Sequence, residues 1–395
     1  MLAHCSFRLP FPCFFFSTGV TGTRNSLLCS GDTLHCAAVV LIRDCAVSVE
    51  APTDVATSSF FVGPLHRCIT MMFEFSLADT IKRLLTPDRC EQLDLDGYLV
   101  LNEQPFPEVV AKELLYEIKH CFHDIDGGRV QNQVEFLTAD GPVKLTKPHI
   151  YECDLHNAVI RHQLPLFNSF FEGQLGELVE VLRDRVNCCE DLQPCGTADL
   201  VSRSVTLKLQ VNEGGAFPWH YDNPGKPNKR RLTMAVYLTE EWTPEMGGEL
   251  QLIPFLGPCI TIPPKFCTTV LFKSDMMLHR VRPMLGLMRK MRYCFTIWFD
   301  GALTNSDDDV FLKAQHLDEG AIPFLRRSAV QRTLSRAVYE AEYEESLREC
   351  FGTDSAALEV SLREHHAHLR QLLNHGKLCA FLTVLKEYRE DLRAA

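Results

Sequence analysis

The spacing of apolar positions along the chain changes near residue 204. Before that point two segments have helical spacing, one opened by Pro107 and one running from about Leu166 to Val186. The second segment carries a phenylalanine-rich face that is typical of core packing against a sheet. From Ser204 onward apolar and polar residues alternate, which is the period of a half-buried strand. Helices followed by strands predict a β-sandwich with helices supporting one face.

Short strand candidates follow one another as far as residue 299. Asn-Pro-Gly, Gly-Gly and Pro-Pro turns separate them, and this pattern predicts an antiparallel barrel or jelly roll. The candidates span residues 204–211, 232–239, 249–253, 259–263, 267–273, 279–282 and 292–299.

The N-terminal third begins without a sustained pattern. Residues 1–70 are rich in Cys, Ser, Thr and Phe, and we expect little stable structure there. A short helical pattern over residues 73–90 ends near Pro87. After it, Asp96-Gly97-Tyr98 predicts a turn that enters a strand.

The C-terminal region has helical spacing again. Two helices are predicted over about 355–373 and 377–392, with Gly376 as a helix stop. Each helix has a leucine-rich stripe that must be buried, either against the barrel or in a homodimer. Three histidines of the first helix, His365, His366 and His368, are expected at its surface or at an interface rather than on a metal.

These patterns predict an α+β fold with a jelly-roll core, N-terminal supporting helices and a C-terminal helical hairpin. The predicted regions are a poorly ordered N-terminal extension (1–70), a helical and strand support (71–203), the jelly-roll catalytic core (204–301) and a C-terminal helical extension (302–395).

Composition narrows the class of protein. The chain has 395 residues, 46% hydrophobic and 23% charged, which is ordinary for a globular protein. Its net charge of −11 argues against a general nucleic-acid binder. The sequence contains no run of 18 apolar residues, so we expect no membrane span.

The cysteines indicate the cellular compartment. The 17 scattered cysteines form no Cys-x-x-Cys pair, which disfavours a zinc ribbon and indicates reduced thiols in the cytoplasm or nucleus. Residues 1–31, with two arginines and no acidic residue, leave a mitochondrial leader as the alternative.

The candidate chemistry lies in a His-x-Asp pair and a distant histidine. Residues i and i+2 of a strand point to the same side, so His220 and Asp222 would both face the barrel interior. His279, on a later strand candidate, supplies a third ligand. Two histidines and one carboxylate form the facial triad that binds Fe(II) and leaves coordination positions open.

A second set of polar residues is predicted on the last strand. Arg292 and Thr296 share the face of that strand that points inward, and Tyr237 lies on an earlier strand. A buried guanidinium is costly unless paired, and its fork fits a carboxylate. One alternative is that Arg292 pairs with an acidic residue of the protein. The other is that Arg289, and not Arg292, is the arginine that binds a carboxylate from outside the protein.

The stretch from Phe217 to Gly301 resembles the catalytic core of the 2-oxoglutarate/Fe(II) oxygenases of the prolyl-hydroxylase type. The matching pieces are His220-Tyr221-Asp222-Asn223-Pro224, Ala235-Val236-Tyr237-Leu238 with Trp242, Gly247-Gly248-Glu249-Leu250, Phe272-Lys273-Ser274-Asp275, His279-Arg280-Val281-Arg282-Pro283, and Arg292-Tyr293 through Trp298-Phe299.

The resemblance implies a double-stranded β-helix, Fe(II), 2-oxoglutarate, O2 and ascorbate-supported turnover. It also implies that His220, Asp222 and His279 bind iron. In the same way it implies that Arg292 binds the distal carboxylate of 2-oxoglutarate, with Thr296 and Tyr237 as helpers, and it gives no catalytic residue beyond the metal ligands. Two departures are Gln210, where some members carry tyrosine, and a longer, basic segment from Met284 to Met291.

The predicted function is a dioxygenase that hydroxylates a protein or peptide, at proline, and releases succinate and CO2. The alternatives are the same chemistry on a small molecule or a nucleic acid, or a non-catalytic binding module on the same fold. The acidic charge disfavours a nucleic-acid partner, and no membrane partner is expected.

Overall fold

The computed structural model describes residues 75–138, 141–193, 204–285, 291–302 and 311–394. The expectations for residues 1–70, including a leader peptide, lie outside these described residues. Arg289 and most of the basic segment after Met284 lie outside them as well.

Antiparallel strands build two sheets. The strands are β1 (Tyr98–Leu101), β2 (Val130–Thr138), β3 (Gly141–Asp154), β4 (Val205–Asn212), β5 (Phe217–His220), β6 (Arg230–Tyr237), β7 (Leu250–Ile253), β8 (Ile260–Ile262), β9 (Thr269–Lys273), β10 (Leu278–Val281) and β11 (Arg292–Asp300). A seven-stranded sheet has the order β1-β9-β6-β11-β4-β3-β2, and a four-stranded sheet has the order β5-β10-β7-β8. Apolar residues from both sheets meet between them, including Leu252, Val270 and Phe272, as a jelly roll requires.

The helices lie before and after the strands of the core. They are α1 (Leu77–Leu84), α2 (Pro87–Asp96), α3 (Glu108–Cys121), α4 (Ala158–Arg161), α5 (Pro165–Arg185), α6 (Ile322–Leu325), α7 (Gln331–Val338), α8 (Glu340–Phe351), α9 (Ala356–Leu373) and α10 (Gly376–Ala394). None of the helices described here is long and apolar enough to cross a bilayer.

Helices α3 and α5 cover the outer face of the large sheet, as the phenylalanine-rich face of α5 predicts. The Phe295 ring of β11 lies 5.7 Å from Phe106, 5.5 Å from Phe167 and 5.6 Å from Phe170, measured between centroids. The predicted turn is also present, since Gly97 has a φ of +81° and β1 follows it directly.

A buried carboxylate joins these two helices. The backbone N–H groups of Leu166 and Phe167, at the start of α5, donate to the Glu117 carboxylate over 2.8 and 2.9 Å. These amides have no partner within their own helix, so Glu117 of α3 serves as their cap. Burial raises the pKa of Glu117 to about 7, although the two N–H bonds act against that rise.

The first helix, α1, ends at Leu84, near Pro87 as expected, but Pro87 then begins a separate helix, α2, as proline favours the first helical turn. The structure corrects two local expectations. Gly376 is the first residue of α10 and not a stop for the preceding helix. His365 is fully buried, where a surface or interface position was expected, because α9 turns this side chain against Tyr343 of α8.

Besides helices α2 and α4, two larger sets of elements were not predicted from the sequence. The long hairpin of β2 and β3 extends the large sheet beyond β4. The Asp-Gly pair at positions 140 and 141 is a general turn signal in the sequence, and the strand β3 begins at its glycine. Helices α6 to α8 were also missed. They pack with α9 and α10 on the outer face of the small sheet, so the C-terminal stripes are buried against the barrel.

Candidate active site

The structure brings His220, Asp222 and His279 together between the two sheets. His220 ends β5 and faces His279 of β10 across the ladder, with 4.2 Å between ring centroids. One Asp222 oxygen, Oδ1, lies 3.8 Å from His220 Nε2 and 3.7 Å from His279 Nε2. One ligand atom from each residue lies within 4.8 Å of the others, so the three could hold one metal ion.

Backbone carbonyls fix which nitrogen of each histidine faces the metal position. His220 Nδ1 lies 2.8 Å from the Pro218 carbonyl, and His279 Nδ1 lies 3.1 Å from the Met277 carbonyl. A carbonyl can only accept, so each Nδ1 carries the proton and each Nε2 presents a lone pair. Burial first, and then the neighbouring imidazole, lower the pKa of His220 to about 3, which keeps that ring neutral.

Two donors orient the carboxylate. Thr233 Oγ1 and Trp298 Nε1 both donate to Asp222 Oδ2, over 2.7 and 2.9 Å. Burial raises the pKa of the Asp222 carboxyl, but the two imidazoles and then the Arg230 guanidinium outweigh that effect and bring it below its ordinary value. Asp222 is therefore ionised, with Oδ1 directed at the histidines. Thr233 and Trp298 were not predicted in this role.

Arg292 lies at the start of β11 on the inner face of the large sheet. It is 2% exposed, and its guanidinium carbon lies 4.9 Å from the centre of the Tyr237 ring. Gly248 makes room for it: the glycine has a φ of +76°, and a Cβ there would lie 3.2 Å from Arg292 Cδ. Thr296 lies on the same face of the strand as Arg292 and lines the same cavity.

No carboxylate among the described residues pairs with Arg292. Its Nη1 donates to Cys294 Sγ over 3.4 Å, and its buried Nε has no hydrogen-bond partner in this part of the chain. A charged group this deeply buried is costly without an anionic partner. The described residues therefore do not support the alternative in which Arg292 pairs with an acidic residue of the protein. The planar guanidinium has the geometry to bind a carboxylate that enters the cavity.

The cavity between the sheets is lined both by the triad and by Arg292 with its neighbours. Its empty space is about 720 Å³, including solvent at the mouth, and its lining includes all three triad residues, Tyr237, Arg292 and Thr296. Gln210, the departure noted from the sequence, also lines it. The site residues predicted from the sequence thus surround one space.

The hairpin adds a polar wall that sequence reasoning missed. Asn132 Nδ2 and Lys208 Nζ each donate to the Glu152 carboxylate, over 2.6 and 2.9 Å. Behind them Lys147, 1% exposed, donates to Asn132 Oδ1 over 2.6 Å. Burial lowers the pKa of Lys147 to about 8. Strand parity places Glu152 and Lys208 on inward faces, but nothing in the sequence indicated that they meet.

The sequence has a short basic stretch from Lys226 to Arg231, which runs into β6, and Arg230 is its one residue that lines the cavity. Arg230 is buried, lines the cavity and lies 4.3 Å from the Trp298 ring centre. Arg231 points elsewhere, to an ion pair with Asp191 over 2.8 Å.

Comparison with known proteins agrees with this geometry. The family model described as the 2OG-Fe(II) oxygenase superfamily matches residues 207–300. A crystal structure of a prolyl 4-hydroxylase from Phytophthora capsici is 36% identical, covers 79% of this chain and 95% of its own, and has a TM-score of 0.63. A search of the curated proteins found no match.

Two more distant solved structures have lower scores. A prolyl-4-hydroxylase from Pseudomonas putida is 16% identical, covers 55% of this chain and 99% of its own, and has a TM-score of 0.40. A prolyl hydroxylase from Trichoplax adhaerens, in complex with a hypoxia inducible factor peptide fragment, is 18% identical, covers 62% of this chain and 94% of its own, and has a TM-score of 0.41.

The match to the Phytophthora enzyme extends over most of both chains, and the superfamily model matches the segment that carries all three triad residues. Family membership implies Fe(II), with 2-oxoglutarate and O2 as co-substrates. The chain belongs to the 2-oxoglutarate/Fe(II) oxygenase superfamily and is a dioxygenase of the prolyl-hydroxylase type.

Proposed function

We propose that this enzyme hydroxylates prolyl residues of a protein or peptide and releases succinate and CO2. The observation that carries the proposal is the arrangement of the triad and Arg292 around one cavity. The substrate class is supported by the prolyl 4-hydroxylase from Phytophthora capsici, at 36% identity.

His220, Asp222 and His279 are the proposed iron ligands. Nε2 of each histidine and Oδ1 of the aspartate are directed to one point, since the other nitrogens and the other carboxylate oxygen are already bonded. Two imidazoles and one carboxylate suit Fe(II) and leave positions open for a co-substrate. The bound iron would supply the O2 chemistry that couples decarboxylation of 2-oxoglutarate to hydroxylation.

Arg292 is the proposed partner of the far carboxylate of 2-oxoglutarate. Its guanidinium is buried in a wall of the cavity and lacks an acidic partner among the described residues. Thr296 and Tyr237 line the same cavity and can add hydroxyl donors to that carboxylate. The protein therefore supplies orientation at one end of the co-substrate and ligands at the other.

Ascorbate as a reductant and a homodimer through the C-terminal helices stay as predictions. For substrate, a small molecule or a nucleic acid remains the alternative within the same chemistry. A non-catalytic module on this fold is disfavoured because the three candidate iron ligands, together with Arg292, Thr296 and Tyr237, all line the cavity.

The test uses the purified full chain with Fe(II), 2-oxoglutarate, ascorbate and a library of proline-containing peptides. We expect succinate to form together with a peptide mass gain of one oxygen atom. Asp222→Ala should abolish both, because it removes an iron ligand. Asp79→Ala, which removes an exposed carboxylate on α1, is the matched control and should retain activity.

Each outcome separates the hypotheses. Full activity in Asp222→Ala would overturn the triad. Succinate formation without any modified peptide, combined with oxygen insertion into a small molecule or nucleic acid, would replace the substrate class and retain the iron site. If the chain neither binds iron nor decarboxylates 2-oxoglutarate, the non-catalytic binding module is the remaining hypothesis.

A further inference from the structure

The strand that carries His220 is weakly held by its own sheet. β5 has four residues, lies at the edge of the small sheet and pairs there with β10. The register of that pairing shifts between His279 and Val281. Asp222 lies beyond the last residue of β5, outside the ladder. Sheet hydrogen bonds alone therefore do not fix two of the three candidate ligands.

Residues that alternate with the ligands point away from the cavity and reach the C-terminal helices. Trp219 and Tyr221 are buried in the apolar cluster that those helices share with the small sheet. The Trp219 backbone N–H donates to Ser346 Oγ of α8 over 3.1 Å. Both neighbours of His220 are thus packed against this helical layer.

Tyr221, between His220 and Asp222, makes a directional bond to α7. Its hydroxyl lies 2.5 Å from Ser335 Oγ. Ser335 donates its own proton to the Gln331 carbonyl over 2.9 Å, so it must accept the proton of Tyr221. The bond has one allowed direction, and it fixes the ring that separates two of the ligands.

Two arginine contacts complete the pattern. Arg332 of α7 donates from Nη1 to the carbonyl of Asn223, the residue after Asp222, over 2.8 Å. Arg280, the residue after His279, donates from Nη1 to Glu349 of α8 over 2.8 Å. Each candidate ligand therefore has a chain neighbour bonded to α7 or α8.

We propose that residues 331–351, here called the brace, position the iron ligands from behind the small sheet. Ser335, Arg332, Ser346 and Glu349 are its positioning residues. Metal sites tolerate only small errors in ligand position, and groups that orient ligands change metal affinity by about 10- to 100-fold. The inference rests on the proposed triad, and it makes the C-terminal extension a component of the iron site.

Apolar packing alone does not account for these contacts. The cluster behind the small sheet contains Leu334, Leu369, Phe381 and Leu382, which is sufficient to attach the helices. Hydrogen bonds restrict orientation as well as distance. Here they join the helices to the chain neighbours of the candidate iron ligands. A positioning role predicts a loss of metal affinity that is separate from any loss of stability.

The experiment titrates the full chain with Co(II) as a spectroscopic substitute for Fe(II), following visible absorbance, with thermal unfolding measured in parallel. Ser335→Ala and Glu349→Gln should each weaken Co(II) binding about tenfold and change the absorption spectrum. Ser335→Thr retains the hydroxyl and should restore both. Ser361→Ala and Glu344→Gln are matched controls, since the bonds of these two residues within the described part of the chain stay inside the helical layer.

The outcomes are distinguishable from failure of the proposed function. Equal Co(II) binding by the wild type and Asp222→Ala would overturn the triad and the brace together. Metal binding lost in Asp222→Ala but unchanged in Ser335→Ala and Glu349→Gln would overturn the brace alone. If Ser335→Ala fails to fold, Glu349→Gln decides, because it removes only a charge from a half-buried pair.

Discussion

The two sheets are both covered by helices, but the contacts on their outer faces differ in kind. Behind the large sheet, the Phe295 ring is surrounded by the aromatic rings of Phe106, Phe167 and Phe170. Behind the small sheet, hydrogen bonds join α7 and α8 to the chain neighbours of the candidate iron ligands. Apolar packing is present behind both sheets, so the difference lies in the hydrogen bonds behind the small sheet, which we propose position the candidate iron ligands.

Phe295→Ala tests the role of packing behind the large sheet. The side chain is fully buried, and its removal leaves a cavity among three aromatic rings. We expect a loss of about 3–5 kcal/mol in the free energy of unfolding, measured by urea denaturation. The folded fraction should bind Co(II) as the wild type does, because Phe295 faces away from the cavity.

The control for this variant is Phe324→Ala, which truncates a side chain that is 42% exposed. The Phe324 ring is only partly buried and stacks on His316, so we expect a loss of about 1 kcal/mol, well below that of Phe295→Ala. If the two variants lose similar amounts of unfolding free energy, or if Phe295→Ala loses much of its Co(II) affinity, the proposed difference between the two sheets is wrong.

Periodicity in the sequence was enough to locate most of the core. Every strand candidate from residue 204 onward corresponds to an observed strand, with ends that differ by a few residues. The parity argument also placed the inward residues correctly, since Arg292 and Thr296 line the cavity. These features depend on local alternation, which a single sequence contains.

Contacts between distant polar residues could not be predicted in this way. Ser335 and Glu349 have no local feature that separates them from ordinary residues of a solvated helix face. Lys147 is buried where the hairpin places it over the Phe217 ring, 4.6 Å from its centre. Such contacts depend on the packing of whole elements, and therefore on the tertiary structure.

Arg292→Ala tests the polar end of the large sheet. Loss of a buried, hydrogen-bonded charge pair costs about 2–5 kcal/mol, so the KM for 2-oxoglutarate should rise by about 30-fold or more. Co(II) affinity without 2-oxoglutarate should stay unchanged, because Arg292 does not belong to the triad. Steady-state succinate formation and the Co(II) titration measure these two effects.

Two further variants sharpen this result. Arg292→Lys retains the charge without the planar fork and should recover only part of the affinity. Arg289→Ala is the matched arginine control. If Arg289→Ala raises the KM and Arg292→Ala does not, the co-substrate partner lies three residues earlier in the chain.

Glu117 is a polar contact behind the large sheet, and it gives the smallest expected effect. Burial raises its pKa to about 7 from 4.5, so between these pH values the folded protein holds a proton that the unfolded chain releases. Stability from this group therefore falls as pH rises from 4.5 to 7, by no more than about 3 kcal/mol, and then levels off.

Glu117→Gln tests this pH dependence. The variant resembles the protonated side chain, so its unfolding free energy, measured with urea at each pH, should fall less steeply than that of the wild type. Glu177→Gln, on the exposed face of α5, should leave the slope unchanged. Equal slopes in the wild type and Glu117→Gln would mean that packing alone joins α3 to α5.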